Sequence, residues 1–577
     1  MIDPSIHFSI SFSEAQAHYV DIAITISNFN QPVLELALPV WTPGSYLVRE
    51  YSRHIEQVEA FDDRGSIACN KVSKNTWRIT QPSGTVKVQY KVYGFEVSVR
   101  TNMINADRAF LSPAATFLHI KDQLALPATI EVCLPEDWTN ISTGLTRLAD
   151  RKNTFFADNF DILYDSPIEI GNQDIWHFEA ANIQHEFAMV GGGNYDKERL
   201  STDIRKIVEE ETRIWGENPN DRYVFITHNY QTGGGGLEHL NSTVLGASRN
   251  AYQNATSYKN FLSLVAHEYF HLWNVKRLRP RALGPFNYDE ENYTTGLWIM
   301  EGFTSYYDNL IVRRCGFFSV EEYLHMLANE FNLVYNRPGY QLQSAAQASF
   351  DTWIKQYRPD ENSANTSISY YNKGAMLATA LDLHILAETE GEKRLDDVIR
   401  AAYQVFYKEK QRGFDEDEFQ QLAEEVTGVD LSTIFAAAHH TEELDYQAYF
   451  AAVGYRLVDR NAGNNELALG IKVSHQDGRI LIKQVERGSG AWDAGLSVDD
   501  ELIAINGNRL DVAGKELDFI QQSSQADEVL DVLVARDGLI RNVYTPIRHS
   551  SKQDWVIEAL PDASTAAKAL GRIWLSV

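Results

Sequence analysis

The stretch that decides the fold of this 577-residue chain is residues 258–276, YKNFLSLVAHEYFHLWNVK. Apolar residues recur along it at helical spacing and no proline or glycine interrupts them, which predicts a helix with a buried face. On such a helix His267 and His271 lie one turn apart on the same side, so both imidazoles can bind one metal ion. Glu268 lies one residue step round the helix and can act on a water at the ion without binding the ion itself. Two neutral imidazoles favour zinc.

A third protein ligand is needed, because a catalytic zinc binds three side chains and keeps its fourth position open. Glu301, in LWIMEGFTSYYD (297–308), is the best candidate, since its apolar neighbours would bury a carboxylate that is costly to leave unpaired. The acidic residues 289–291 are the alternatives, but they lie in a polar connection and are expected to be solvated. Asp308 could orient a ligand histidine, although a surface role is favoured. The sequence therefore predicts one zinc ion per chain, bound by Glu301 and the two histidines.

The segments around this motif differ in their patterns, and 577 residues exceed what one hydrophobic core holds. Short β-branched runs between turn residues predict an all-β sandwich over 1–172. Alternating strand and helix patterns predict an α+β catalytic domain with the HExxH helix over 173–290, and a helical period predicts a helical domain carrying the third ligand over 291–457. Strands resume over 464–549, and 550–577 is predicted to be a tail with a short helix.

The composition limits the partners and the compartment. The chain has 79 acidic residues against 52 Lys and Arg and a net charge of −27, which disfavours nucleic acid and anionic membrane. Three scattered cysteines form no disulfide framework, and no signal peptide or transmembrane run is recognisable. A cytoplasmic location is therefore expected.

The motif and its surroundings resemble known zinc peptidases. HEYFH followed by W-x-M-E-G-F-T-x-Y (298–306) is similar to the gluzincin arrangement of the aminopeptidase N family, HExxH…NEGF, although the connection between the two parts is longer here. That spacing, HLWNVKRLRP (271–280) and VWTPGSYLVREYSRH (40–54) resemble more closely the glycyl aminopeptidase family of gluzincin-like zinc metallopeptidases, which often carries a C-terminal PDZ domain. The resemblance implies a thermolysin-like catalytic domain and an aminopeptidase that removes small residues, such as Gly or Ala, from peptides with a free N-terminus.

Four glycines at 233–236 precede Glu238 and follow a predicted strand. Glycine permits close backbone approach, so a peptide could lie along Gly235 and Gly236 as an added strand. The aminopeptidase N family has G-x-M-E-N at this place, and its glutamate binds the free α-amine of the substrate. The matching residue is Glu238, with His239 replacing the family's asparagine. A flexible hairpin with a solvated Glu238 is the alternative.

Residues 369–374, SYYNKG, resemble the Y-E-K-G segment of the same family. There a tyrosine hydroxyl donates a hydrogen bond to the oxyanion of the tetrahedral intermediate. The matching residue is Tyr371, with Tyr370 as the alternative, and Asn372 departs from the family's glutamate.

Residues 488–507, GSGAWDAGLSVDDELIAING, resemble the PDZ motif, and residues 469–471 would match its carboxylate-binding loop. A peptide C-terminus is thus a possible partner, unless the PDZ module only packs on the catalytic domain. Two other functions stay open: an endopeptidase, if Glu238 does not face the cleft, and an inactive peptidase-like scaffold acting through the PDZ module. The presence of all three ligands together with Glu268 argues against the scaffold.

Overall fold

The computed structural model describes residues 4–511 and 515–576. The chain folds into two compact units, each built from separate segments. Unit 1 comprises Met1–Thr294, Tyr307–Ser319 and Asp396–Val426; unit 2 comprises Thr295–Tyr306, Val320–Leu395 and Thr427–Val577. Among the described residues, no helix combines the length and apolarity that a membrane span requires.

The N-terminal part of unit 1 is all-β, apart from the short helix α1 (Phe160–Tyr164) and three single-turn 3-10 helices. Its alternating sequence gives alternating burial: in the second strand Val20, Ile22, Ile24 and Ile26 all point into the core. The strands are β1 (Ser5–Ser11), β2 (Tyr19–Ser27), β3 (Val33–Ala37), β4 (Ile55–Asp62), β5 (Gly65–Ile67), β6 (Cys69–Lys71), β7 (Thr76–Thr80), β8 (Val86–Tyr93), β9 (Met103–Ile104), β10 (Ala109–Leu111), β11 (His119–Ile120), β12 (Ala128–Val132), β13 (Asn140–Thr143), β14 (Thr146–Arg147), β15 (Thr154–Ala157) and β16 (Ile168–Gly171).

These strands form three sheets around one hydrophobic core. The largest has the order β14-β15-β12-β1-β2-β8-β4-β5, in which β1 pairs parallel with β12 and antiparallel with β2. Two four-stranded sheets, β13-β16-β10-β9 and β11-β3-β7-β6, complete the domain. The predicted N-terminal β domain is confirmed.

The rest of unit 1 is built on a five-stranded sheet of order β17-β18-β19-β21-β20. Strand β20 lies at the edge and pairs antiparallel with β21, whereas β18, β19 and β21 run parallel. Helix α3 begins after Asn254, whose side chain accepts a hydrogen bond from the backbone N–H of Ser257. The elements are β17 (Asp174–Ala180), β18 (Ile183–Val190), α2 (Lys197–Trp215), β19 (Arg222–Tyr230), β20 (Gly236–Glu238), β21 (Ser242–Ser248) and α3 (Ala255–Phe270).

The central part of the chain is helical, as predicted. Helix α4 (Leu297–Arg314) belongs to unit 2 up to Tyr306 and to unit 1 from Tyr307. The following helices are α5 (Val320–Tyr335), α6 (Ala345–Phe350), α7 (Ser363–Thr366), α8 (Tyr370–Glu388), α9 (Leu395–Ala402), which continues into a π-helical turn at Tyr403–Glu409, α10 (Glu416–Thr427), α11 (Ser432–Ala437) and α12 (Tyr446–Ala452).

The domain that carries the PDZ-like motif is an insertion between two paired strands, β22 and β31. Its sheet has the order β24-β25-β26-β28-β29. After it the chain returns to the helices of unit 2, where the fully buried Trp574 donates its indole N–H to the Tyr306 hydroxyl over 3.0 Å. The elements are β22 (Tyr455–Asp459), β23 (Leu467–Ala468), β24 (Ile471–Gln476), β25 (Arg479–Val485), α13 (Gly490–Ala494), β26 (Glu501–Ile505), β27 (Asn508–Arg509), α14 (Lys515–Ser523), β28 (Val529–Arg536), β29 (Leu539–Pro546), β30 (Arg548–His549), β31 (Trp555–Ala559) and α15 (Thr565–Leu575).

Candidate metal centre

The two histidines of the motif face each other at the C-terminal end of α3. Their Nε2 atoms lie 3.2 Å apart. His267 Nδ1 lies 3.1 Å from a carboxylate oxygen of Asp308, and His271 Nδ1 lies 2.8 Å from the backbone carbonyl oxygen of Asn274. Because both Nδ1 atoms face oxygen acceptors, the favoured tautomer carries its proton on Nδ1 and leaves both Nε2 lone pairs directed at the same place. Two converging lone pairs repel unless a cation lies between them, so this donor pair fits zinc.

Strand β20 lies against the base predicted for the reaction. The Glu268 carboxylate is buried, and a side chain at position 236 would collide with it. Only glycine therefore fits at Gly236, which brings the backbone of the edge strand next to Glu268. Gly235 has φ +87°, and the space beside its Cα is open. The structure thus brings together Gly236 and Glu268, which the sequence placed in separate motifs.

The N-terminal β domain covers the other end of β20. Gly44 has φ +84°, and a side chain there would collide with the Glu238 carboxylate. Glu238 is 4% exposed, and its Oε1 has no hydrogen-bond partner among the described residues. Arg100 Nη2 donates to the Gly236 carbonyl oxygen over 3.1 Å. The sequence of segment 40–54 indicated a family resemblance but did not predict its contact with Glu238.

His239 points away from this cluster. Its Nδ1 lies 3.0 Å from a carboxylate oxygen of Asp165, and the same oxygen accepts a hydrogen bond from Lys276 Nζ over 2.6 Å. This buried ion cluster gives His239 a structural partner. The role that the sequence left open is therefore accounted for by packing.

Glu301 and Tyr371 lie close together in unit 2. Glu301 is 2% exposed on α4, and Tyr371 lies in the first turn of α8. A side chain at Gly302 would collide with the backbone of Gly374, so the two glycines let α4 and α8 approach closely at this level. Burial, and next the charge of Glu301, raise the pKa of Tyr371 well above its usual range. The Tyr371 hydroxyl therefore keeps its proton at neutral pH and lies 3.2 Å from the Tyr357 hydroxyl.

Tyr370, the alternative to Tyr371, has a different environment. It is fully buried, and its hydroxyl lies 2.9 Å from the hydroxyl of Thr352. Its burial and its hydrogen bond with Thr352 indicate a structural role for Tyr370 in the core.

Two acidic residues lie near His267: Asp308, for which the sequence favoured a surface role over contact with a ligand histidine, and Glu211, which the sequence did not indicate. Asp308 was expected at the surface, but its side chain is only 14% exposed and contacts His267 Nδ1, so that expectation is wrong. Its position two turns beyond Glu301 was the available signal. Glu211 on α2 is fully buried, and its carboxyl oxygens have no hydrogen-bond partner among the described residues. Burial raises the pKa of Glu211 well above its usual range, which favours the neutral form of this carboxyl group.

Comparison with known proteins matches three family models: the Peptidase M61 N-terminal domain over residues 7–172, the M61 glycyl aminopeptidase over 260–377, and a PDZ domain over 458–535. No curated protein matches. An aminopeptidase N family protein from Idiomarina loihiensis has 29% identity over 99% of this chain and 100% of its own, with a TM-score of 0.91. An M1 zinc metallopeptidase from Deinococcus radiodurans has 13% identity over 76% of this chain and 94% of its own, with a TM-score of 0.49.

These matches confirm the resemblance and the multidomain fold predicted from the sequence. The chain is a zinc metallopeptidase with the domains of the M61 glycyl aminopeptidases, followed by a PDZ domain.

Proposed function

We propose that this enzyme removes single N-terminal residues, preferably small ones such as Gly or Ala, from peptides with a free α-amine. The observation that carries the proposal is the buried, unshared carboxylate oxygen of Glu238 on strand β20. Residues two apart on a strand face the same side, about 7 Å from each other. Gly236 faces Glu268, so Glu238 lies about 7 Å along the strand from the base, which suits an exopeptidase that holds the substrate by its terminal ammonium group.

For the metal, we propose one zinc ion per chain with His267, His271 and Glu301 as ligands. Seven residues separate Glu301 from Asp308, which puts both on the same face of α4, two turns apart. Since Asp308 contacts His267, a third ligand for the two histidines is expected on the same face of α4, which is where Glu301 lies. Zinc bound there would supply Lewis acidity, polarising the scissile carbonyl and acidifying the attacking water.

The chain's own residues supply the other steps. Glu268 takes the proton of the attacking water and transfers it to the leaving amine. Tyr371 remains protonated and donates a hydrogen bond to the oxyanion. Glu238 binds the α-ammonium through charge-assisted hydrogen bonds. The free edge of β20, with Gly235 and Gly236, lets the substrate backbone lie alongside as an added strand.

The PDZ module is proposed to bind a peptide C-terminus at residues 469–471. In the structure the backbone N–H of Leu469 donates to the Gln521 side chain on α14 over 3.1 Å. An incoming carboxylate would compete with Gln521 for the N–H of Leu469. We therefore expect the backbone N–H groups of Gly470 and Ile471 to donate to it.

The proposal is tested by separating metal binding from catalysis. Glu268→Gln keeps the size of the side chain and removes the base, so zinc should remain while turnover of aminoacyl substrates falls by about 10²–10⁴-fold. His267→Ala and Glu301→Ala should lose zinc, whereas Glu290→Ala, an exposed residue of the alternative acidic segment, should keep it. Elemental analysis and a chelator-sensitive assay measure both quantities. Full zinc in Glu301→Ala, or normal turnover in Glu268→Gln, would remove that residue from its role.

A further inference from the structure

Unit 1 contains a cavity of about 850 Å³ beside the segment that follows His271. None of its lining residues is a proposed zinc ligand, base or substrate contact. Its charge is opposite to that of the chain, which carries −27 overall. Five cationic residues line the cavity against two acidic ones: Lys276, Arg277, Arg279, Lys408 and Arg412, against Asp161 and Glu217.

Four of the five cationic residues already have partners. Lys276 contacts Asp165, Lys408 contacts Glu217, and Arg412 donates two hydrogen bonds to Glu418. The Arg277 guanidinium donates to the backbone carbonyls of Leu240 and Leu272 and to Asn220. Their donors are therefore largely committed to this chain.

Arg279 is the exception. Among the described residues, no hydrogen bond or ion pair joins its guanidinium to an acceptor, and that side chain lines the cavity. The guanidinium carbon lies 5.0 Å from the centre of the Phe286 ring. On another side lies Gly284, where a side chain would approach the guanidinium to 2.6 Å. The ring and the glycine therefore both lie beside the planar group.

This environment is unfavourable for a lone cation. Burial lowers the pKa of Arg279 and of Arg277, which means that both guanidinium groups have lost part of their hydration. Asp161, one of the two acidic side chains of the wall, accepts a hydrogen bond from the Tyr288 hydroxyl over 2.7 Å. An ordinary surface arginine would be solvated or paired, and a partly buried one without an acceptor gains most from an external anion.

The π-helical turn Tyr403–Glu409 forms part of the cavity wall. It presents Tyr403 and Tyr407 as stacked rings, with centroids 5.3 Å apart. Helical segments of this type are frequent at functional sites. Aromatic walls with a few charged groups at one end are typical of pockets for small organic molecules, and a volume of this size exceeds what a bare inorganic ion would fill.

We propose that this cavity is a binding site for a small organic oxyanion, a phosphate monoester or a dicarboxylate, anchored by two parallel hydrogen bonds from Arg279. A guanidinium presents its N–H groups as a planar fork that matches carboxylate and phosphate oxygens. Lys408 and Arg412 also line the cavity, but their charges are paired with Glu217 and Glu418, so Arg279 supplies the charge that would bind the anion.

The test uses the full-length, zinc-loaded protein at low ionic strength, where charge contributions are least screened. Glucose 6-phosphate and succinate are titrated separately, and binding is followed by the melting temperature and by ligand-observed NMR. We expect one of the two to bind saturably, which also distinguishes the phosphate from the carboxylate source. Arg279→Gln should weaken that binding at least about tenfold, and Arg279→Lys, which keeps the charge but loses the fork, should weaken it by a similar factor.

Arg281→Gln is the matched control, because Arg281 is exposed, two residues away, and paired with Asp415 over 2.9 Å. It should change the affinity less than about twofold, whereas a loss as large as that of Arg279→Gln would show that only general charge matters. Zinc content and peptide hydrolysis are measured on every variant and should not change. Absence of saturable binding of both compounds to the wild type, or equal affinity in Arg279→Lys and wild type, would overturn the proposal.

Discussion

Replacing Glu238 by glutamine tests how the substrate is held. Glu238 is 4% exposed, and one of its oxygens has no partner among the described residues, so its charge is available to a cation entering along β20. Glutamine keeps the size of the side chain and removes that charge. A hydrogen bond to a charged group contributes about 1.5–3 kcal/mol. The value of kcat/KM for peptides with a free amine should therefore fall by about 10–150-fold.

The assay compares free and N-acetylated versions of one peptide series. Acetylated peptides carry no ammonium group, so the wild type should cleave them poorly and Glu238→Gln should change their cleavage little. Gly44→Ala is an independent perturbation, because it keeps the Glu238 side chain but forces its carboxylate to move. The same selective loss is expected for it, with unchanged zinc. Equal cleavage of free and acetylated peptides by the wild type, with no effect of Glu238→Gln, would refute the reasoning and indicate an endopeptidase.

Three further predictions concern the metal, the stability and the PDZ module. Asp308→Asn should weaken zinc binding by about 10–100-fold in a chelator competition, since the residue orients His267; wild-type affinity would contradict that role. Burial lowers the pKa of His119 and of His185 from the ordinary 6.5 to about 4, so the folded state resists their protonation. Each histidine takes up its proton in the unfolded state first, so each should lower the free energy of unfolding by about 3 kcal/mol as the pH falls from 6.5 to 4. The free energy of unfolding of His185→Gln should therefore depend less on pH over that range than that of the wild type. An identical pH dependence of the two proteins would contradict the buried, neutral state of His185. Replacing 462–552 by a short turn should leave a folded, zinc-binding protein, because β22 and β31 already pair at that point. Ending the chain at 460 instead removes the buried Trp574, which should lower the free energy of unfolding by several kcal/mol, as measured by denaturant unfolding. Equal stability of the two deletions would contradict this.

The features that sequence predicted well are local ones. The spacing of His267 and His271 is a property of one helix, and the PDZ motif is long enough to be recognised within one segment. The N-terminal strands show their burial through alternation alone. What could not be predicted depends on how distant elements pack. Asp308 meets His267 because α4 lies near α3, and its spacing from Glu301 suggested this contact without deciding between it and a surface role. Gly44 meets Glu238 across almost two hundred residues, and that contact leaves no periodic signal.

The attachment of the PDZ domain bears on the proposed oxyanion donor. The module is held at the β22–β31 ribbon, where Asp459 pairs with Trp555. It is held again at the buried Asn365, whose side chain donates to the Val485 carbonyl over 2.8 Å and accepts from the Arg487 N–H over 2.9 Å. Two separated attachments resist rotation where one would allow it. Asn365 lies six residues before Tyr371, so a peptide that shifts the end of β25 would act first on the start of α8. Its effect should therefore appear in the stabilisation of the oxyanion rather than in the binding of zinc by the histidines of α3.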